Sequence, residues 1–184
     1  MDVAERLAQT RGYNGFSYAD IAAKLGVTKT SLHYHFPSKA ELGRALIARY
    51  QAAFGVALEA IDQRAPKPAE KLRQYVALYD VVMRDDRMCL CGMLAAEYAT
   101  LPAPMQDALR RFFDMNERWL TGVLLDGRRS GSFLFAASAK KRARLVLGAL
   151  EGAMLVARSF GDFGRFHSAA EQLLDDLGTR GQLP

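Results

Sequence analysis

The sequence predicts an all-α protein: an N-terminal head of three helices that contains a helix-turn-helix, followed by a larger helical body. Residues 16–42 hold two short helical patterns joined by a tight turn. Beyond them, apolar residues recur every three or four positions over long stretches. Strict alternation of apolar and polar residues, which is typical of strands, is nowhere sustained.

The first short helix is expected to begin after Ser17, whose side chain can cap its amide groups. Asp20 lies in its first turn, where the helix dipole favours a negative charge. The helical spacing predicts that Ile21, Ala22 and Leu25 form a buried stripe.

The turn between the two short helices is Gly26-Val27-Thr28. Gly26 tolerates the left-handed backbone that ends a helix. We expect Val27 to fill the angle between the helices and Thr28 to cap the second one. This turn therefore predicts how the two helices cross.

On the second short helix, Leu32 and Phe36 are four residues apart and are expected to face inward. The outer and flanking faces then carry Lys29, Thr30, Ser31, His33, Tyr34 and His35. A short helix with such side chains can enter a major groove about 12 Å wide and reach base edges and phosphates. This pattern predicts a recognition helix; a three-helix corner with a solvated polar face is the alternative.

The next helix follows at once. Pro37 ends the recognition helix, and Ser38 can cap the helix that comes after it. Lys39 in the first turn of that helix places a cation and backbone amides where a phosphate would lie.

Three segments in the first quarter of the chain follow one pattern: Gly12-Tyr13-Asn14-Gly15, the run from Ile21 to Val27, and SLHYHFPSKAEL. In this pattern the chain resembles the TetR family of bacterial transcriptional regulators. The resemblance implies that Lys29 and Ser31 read base edges of double-stranded operator DNA, with Thr30 as a weaker candidate. It implies phosphate or groove-wall contacts for Thr28, His33, Tyr34, His35 and Lys39.

The chain departs from the family pattern in two places. The family usually has Tyr where this chain has His33. The phosphate contact is then made by the His33 imidazole, or is taken over in part by Tyr34. A contact through imidazole would make DNA binding pH-sensitive. The chain also begins inside what is normally the first helix. We therefore expect a basic N-terminal segment, which can add minor-groove or phosphate contacts, to be missing.

The charge and hydrophobicity of the sequence agree with a protein that binds nucleic acid inside the cell. The net charge is +5, and residues 1–50 carry seven Lys or Arg against four Asp or Glu, which favours encounter with a polyanion. No apolar run approaches the roughly 20 residues of a membrane span, and the N-terminus lacks a signal-peptide pattern. We expect a cytoplasmic protein that does not bind membranes.

Six further helices are predicted for the rest of the chain. The first runs through residues 42–61, and proline pairs or a Ser-Gly-Ser turn separate several of the others. The remaining five are predicted at about 69–84, 89–99, 105–127, 136–159 and 164–177.

The last two helices carry apolar faces, and the helix at 136–159 also has small residues such as Gly148 and Gly152. They could complete the core. However, one recognition helix reads few base pairs, and helix-turn-helix proteins commonly pair. The resemblance implies a four-helix interface made by these helices. We predict a homodimer that binds a pseudo-palindromic DNA site.

The predicted domain boundary follows from the position of the motif. A DNA-binding domain is expected at residues 1–45, and an effector-binding and dimerisation domain at residues 46–184.

TetR-like bodies characteristically bind a small-molecule effector, and the middle helices are rich in aromatic and Met residues. This set suits a mostly apolar effector with few polar anchors, although core packing explains the same residues. The candidates for effector binding or sensing are Tyr79, Met83, Met88, Cys89, Met93, Tyr98, Phe113 and Trp119.

The two cysteines, Cys89 and Cys91, are too few for a disulfide scaffold. Cys89 lies at an expected helix N-terminus with Arg84 and Arg87 just upstream, which would activate its thiol. The run CLCGMLAAE resembles, over about ten residues, the segment of the repressor of N-ethylmaleimide reductase in which a cysteine answers electrophiles. The alternative, which is stronger for Cys91 than for Cys89, is that both are small buried apolar side chains.

No metal, cofactor or catalytic site is predicted. His33 and His35 belong to the recognition helix and His167 is isolated, so a zinc site lacks ligands. The residues show no nucleophile and base pair and no phosphate loop, which argues against an enzyme.

The sequence favours a ligand-responsive regulator, most simply a repressor released by its effector; an activator, or a DNA-binding protein without such regulation, is the alternative. One basic cluster has three possible roles: a solvated surface, an anion site or a second DNA contact. Its members are Arg128, Arg129, Lys140, Lys141, Arg142 and Arg144.

Overall fold

The computed structural model describes residues 1–178, and within that range the chain forms α-helices and one 3₁₀ turn, without strands. The predicted all-α class with a helix-turn-helix head is confirmed. The helices are α1 Asp2–Arg11, α2 Tyr18–Leu25, α3 Lys29–His35, α4 Lys39–Arg64, α5 Pro68–Met83, α6 Leu90–Ala96, α7 Ala103–Arg129, α8 Ala139–Phe160 and α9 Gly164–Asp175.

The bounds of several helices differ from the predicted ones by up to three residues. The helix expected at 89–99 ends at Ala96 and continues as a separate 3₁₀ turn at Tyr98–Thr100. The helix expected from residue 136 begins at Ala139, because the Ser138 hydroxyl caps it by accepting a hydrogen bond from the amide of Lys141 at 3.3 Å.

The chain divides into two compact units. The first contains Met1–Phe54 and Asp86–Phe113, and the second contains Gly55–Asp85 and the described residues from Asp114 onward. The functional boundary predicted at residue 45 falls inside the continuous helix α4 and stays a prediction. The last six residues of the predicted body domain lie outside the described range.

In the first unit, α1 packs against the segment that contains α6. Gln9 of α1 is fully buried; its backbone carbonyl accepts from the amide of Met88 at 3.2 Å, and its side-chain oxygen accepts from Arg87 at 3.1 Å. The buried apolar side chains of this unit include Leu7, Leu46, Ile47, Leu90, Leu94, Met105 and Phe112.

In the second unit, α8 and α9 pack against each other. Residues of this core include Leu72, Tyr75, Leu120, Phe133, Leu150, Met154, Phe166 and Leu173. Among the described residues, no helix has the length and apolar character needed to cross a membrane.

Candidate nucleic-acid interface

The predicted N-cap of α2 is confirmed, with a different bonding pattern from the expected one. Ser17 is the N-cap residue, and its backbone amide and hydroxyl both donate to the Asp20 carboxylate, at 2.7 and 2.6 Å. These bonds lower the pKa of Asp20, with the side-chain bond from Ser17 as the largest cause. The carboxylate thus fixes where the helix begins.

The turn into α3 has the predicted form. Gly26 adopts the left-handed backbone with φ of 67°, and its amide donates to the carbonyl of Ala22. The hydroxyl of Thr28 accepts from the amide of Ser31 at 3.2 Å and so caps α3. Ser38 caps α4 in the same way, through the amide of Glu41.

Two apolar residues of the motif are less buried than predicted. Leu25 is 47% exposed and Val27 is 43% exposed, so the expectations that Leu25 completes a buried stripe and that Val27 fills the interhelical angle are wrong. The reason is that α3 has only seven residues and buries none of them, so it does not cover the end of α2.

Helix α3 exposes the side chains that carry its chemistry. Leu32 and Phe36 are half-buried, which is less than the inward packing predicted for them. Tyr34 is 86% exposed. Seven of the eight predicted DNA-binding residues lie exposed on α3 and its N-cap: Thr28, Lys29, Thr30, Ser31, His33, Tyr34 and His35.

His33 packs on the preceding helix while remaining exposed. Its ring lies edge-on to Tyr18, with ring centroids 4.5 Å apart, and its Nδ1 lies 3.3 Å from the carbonyl oxygen of Pro37. The Tyr18 hydroxyl donates to the carbonyl of Phe36 at 2.7 Å. These contacts join α2 to the end of α3.

Lys39, the eighth predicted DNA-binding residue, is engaged within the protein. Its ammonium donates to the carbonyl of Tyr13 at 2.5 Å and to the carbonyl of Phe16, and it lies 4.5 and 4.4 Å from the centroids of their rings. Burial lowers the pKa of Lys39, while the charges of Glu97 and Asp20 act in the opposite direction. The phosphate contact predicted for Lys39 would compete with these bonds and stays a prediction.

Glu97 was missed by the sequence analysis. Its carboxylate accepts from the backbone amides of Tyr13 and Asn14, which stand 84 and 83 residues away in the chain. The Asn14 side chain also donates to the hydroxyl of Thr100 at 2.8 Å. No local pattern around residue 97 indicates this contact.

The eight candidate effector residues are divided between the two compact units. Tyr79, Met83 and Trp119 belong to the second unit, whereas Met88, Cys89, Met93, Tyr98 and Phe113 belong to the first.

Within the second unit, three residues that the sequence analysis missed extend from Tyr79 as a polar chain. The Tyr75 hydroxyl donates to the side-chain oxygen of the fully buried Asn116 at 2.9 Å. The Tyr75 hydroxyl also lies 3.4 Å from the hydroxyl of Tyr79, and the Tyr79 hydroxyl donates to the Glu151 carboxylate at 3.4 Å. Trp119 stacks on Tyr75 with ring centroids 5.4 Å apart.

Cys89 is the N-cap residue of α6, as the sequence predicted, but it is only 2% exposed. Cys91 is fully buried, and neither cysteine forms a disulfide. Among residues 1–178, no three His, Cys, Asp or Glu side chains come together in a group that could hold a metal ion.

Two members of the basic cluster pair with acids that lie outside its own segment. Arg129 pairs with Asp126 at 3.6 Å, and Arg144 pairs with Glu117 at 2.9 Å. Arg128 and Arg142 both lie over the ring of Phe135, at 5.6 Å from its centroid.

The capped turn, the short exposed helix and the helical body define a helix-turn-helix DNA-binding protein. The family model described as "Bacterial regulatory proteins, tetR family" matches residues 1–46. A TetR-family transcriptional regulator from Agrobacterium tumefaciens has a solved structure with 31% sequence identity and a TM-score of 0.92, covering 96% of this chain and 94% of that one. A TetR transcriptional regulator from Legionella pneumophila, with the same identity and coverage, has a TM-score of 0.87.

The chain therefore belongs to the TetR family, whose members are DNA-binding transcriptional regulators and typically repressors. It is also similar to the HTH-type transcriptional repressor BepR of Brucella suis biovar 1 (strain 1330), at 27% identity over 156 residues, which are 81% of this chain and 74% of the relative.

Proposed function

We propose that this protein is a homodimeric transcriptional repressor that binds a pseudo-palindromic operator through α3 and leaves it when a small-molecule effector binds. The observation that carries the proposal is the exposed surface of α3. It has no buried residue, and a capped turn fixes its first turn. Lys29 and Ser31 are assigned to base edges, with Thr30 as a weaker candidate. The side chains assigned to phosphates and groove walls are those of Thr28, His33, Tyr34 and His35.

An apolar face on α8 supports the homodimer. Leu145, Leu155 and Val156 are exposed there and lie within one side of the helix at 100° per residue. On the same side, an added Cβ at Gly148 or Gly152 would meet no atom within 4 Å, so a second helix could approach closely. Such a stripe exposed on a stable helix is typical of a protein interface.

The polar chain of the second unit supports an effector site. A mostly apolar pocket with a few polar anchors suits small-molecule binding. Tyr79, Met83 and Trp119 supply apolar surface, and Glu151, which is half-buried beside Tyr79, supplies a carboxylate. An effector that contacts this cluster would carry a hydrogen-bond donor or a positive charge on an otherwise apolar body.

The experiment that tests the repressor proposal is binding of the purified chain to the DNA upstream of its own gene, at two salt concentrations, with and without a panel of compounds. We expect tight, salt-dependent binding that one class of compound reverses. Specific binding that no compound reverses would contradict effector control and favour the constitutive alternative. Absence of specific binding to this region or to selected random DNA would contradict the whole proposal.

Sensing through Cys89 is proposed separately, because it needs covalent chemistry. Since Cys89 is almost fully buried, an electrophile reaches its sulfur only when α6 opens locally. We expect Cys89→Ser to keep operator affinity and to lose release by quinones or hypochlorite, with Cys91→Ser as the matched control. Unchanged release in Cys89→Ser would exclude this thiol as the sensor.

A further inference from the structure

The turn between α1 and α2, residues 12–16, is held from two sides by charged side chains. It begins at Gly12, whose φ of 80° is one that side-chain-bearing residues rarely adopt. It ends one residue before the N-cap of α2. The direction in which the helix-turn-helix leaves α1 is therefore set within these residues.

Glu97 holds the amide side of this turn. One carboxylate oxygen accepts from the amide of Tyr13, and the other accepts from the amide of Asn14 at 3.1 Å. A Cβ at Gly12 would lie only 2.9 Å from the carboxylate, so the glycine also makes room for Glu97. Hydrogen bonds from amides to a carboxylate are stronger than those between neutral groups.

Lys39 holds the carbonyl side. Its ammonium donates hydrogen bonds to the carbonyl oxygens of Tyr13 and Phe16 and lies against both rings. Tyr13 thus has its N–H bonded to a negative group and its C=O bonded to a positive group. Because the two charges act on opposite ends of this residue, they favour a single orientation of the turn.

The contacts continue from the turn to α3. Beyond Phe16, the capping carboxylate of Asp20 fixes the first turn of α2. Tyr18 at the start of α2 then bonds the carbonyl of Phe36, just after α3. All of these contacts lie within the first compact unit.

We propose that Glu97 is a positioning residue for sequence-specific DNA binding, which acts through the 12–16 turn with Lys39 as its counter-charge. Glu97 does not touch DNA in this proposal; it sets the angle at which α3 is presented. The inference rests on the DNA binding proposed above.

The test uses Glu97→Gln in the full chain, with binding measured to an operator and to unrelated DNA of the same length. The glutamine keeps one acceptor and loses the charge, so it weakens the hold on the two amides. We expect roughly tenfold weaker operator binding, in line with the loss of a charged hydrogen bond. Binding to unrelated DNA should be unchanged or slightly tighter, since a negative charge is lost. The ratio of operator affinity to affinity for unrelated DNA is the decisive measurement, because partial unfolding of the head would lower both affinities equally.

Glu41→Gln is the matched control. It removes the same charge from an exposed residue of α4 in the same unit. Removal of a negative charge by itself strengthens binding to a polyanion, so we expect this variant to bind both DNAs as tightly as the wild type or more tightly. Operator binding by Glu97→Gln that matches Glu41→Gln would overturn the proposal.

Lys39→Ala, alone and combined with Glu97→Gln, tests the counter-charge. If both residues act through the turn, the combined loss of operator affinity is smaller than the product of the single losses. A salt slope that falls by about 1 in Lys39→Ala would instead make Lys39 a phosphate contact and overturn its assigned role.

Glu97→Asp keeps the experiment decisive if Glu97→Gln folds poorly. It retains the charge on a shorter side chain, and we expect an intermediate operator affinity with normal binding to unrelated DNA. An unchanged affinity ratio in a folded Glu97→Asp would contradict the proposal. If the wild type prefers no DNA sequence at all, the proposed function fails and not the role of Glu97 alone.

Discussion

Helices α3 and α8 both leave side chains uncovered, but their exposed faces differ in chemistry. On α3 the exposed residues are polar, such as Lys29, Ser31 and His33. On α8 the exposed stripe is apolar and includes Leu155 and Val156. A polar face is stable in water and can bind a solvated polyanion. Exposed apolar area instead costs about 25 cal/mol per Å² until another surface covers it. The two faces therefore indicate two kinds of partner.

The largest expected effect concerns the apolar face of α8. We expect Val156→Glu to convert the proposed dimer to a monomer and to weaken operator binding by about 100-fold or more, because a second linked head adds roughly 10² to 10⁴ in avidity. Sedimentation and DNA binding measure both effects. Val81→Glu is the control, since Val81 is a 63% exposed valine on α5. A Val156→Glu variant that stays dimeric would remove α8 from the interface.

The next effect concerns the polar face of α3. Lys29→Ala is expected to cost about 1 to 3 kcal/mol on the operator and much less on altered sequences, if Lys29 grips a base edge. Competition binding against single-base operator variants measures this. Lys24→Ala removes the same charge from an exposed residue of α2 and controls for electrostatics. Equal losses on all sequences would assign Lys29 to a phosphate.

A smaller effect contrasts a buried hydroxyl with an exposed one. Tyr75→Phe removes the donor to the buried Asn116, and we expect a loss of about 1 to 2 kcal/mol in the free energy of unfolding. Tyr34→Phe removes an exposed hydroxyl from α3 and should leave stability unchanged. Urea denaturation of both variants measures the difference. Equal stabilities would show that the Tyr75 hydroxyl adds nothing to the stability of the fold.

The smallest effect concerns the cap of α2. Because the folded pKa of Asp20 lies below its ordinary 3.8, the stabilisation is present above pH 3.8 and disappears as the pH falls through the folded pKa. The melting temperatures of wild type and Asp20→Asn should therefore differ at neutral pH and converge in acid. Asp114→Asn, on an exposed position of α7, controls for charge. A difference that stays constant with pH would contradict this role of the carboxylate.

Much of the helix-turn-helix could be predicted from the sequence because its signals act over a few residues. Ser17, Thr28 and Ser38 cap the helices that directly follow them, and Gly26 ends α2 by its own backbone conformation. Such bonds form between residues about three or four apart, and the sequence displays them directly.

Helical periodicity alone could not predict which apolar residues of α8 are buried and which are exposed. Leu147, Leu150, Met154 and Ala157 of α8 are apolar at helical spacing, and the structure buries them within the same chain. Leu145, Leu155 and Val156 have the same character and are exposed. The spacing identified an apolar helix, but which side α9 covers depends on the packing of two helices.

The sequence by itself determined the all-α class, the capped helix-turn-helix and the polar side chains of α3. Only the tertiary structure decided that Leu25 is exposed, that Lys39 binds the carbonyl groups of the 12–16 turn, and that Glu97 reaches the same turn across 84 residues. The physical reason is range: caps and helical periodicity act between near neighbours, whereas burial and long-range hydrogen bonds depend on which faces meet when the chain packs.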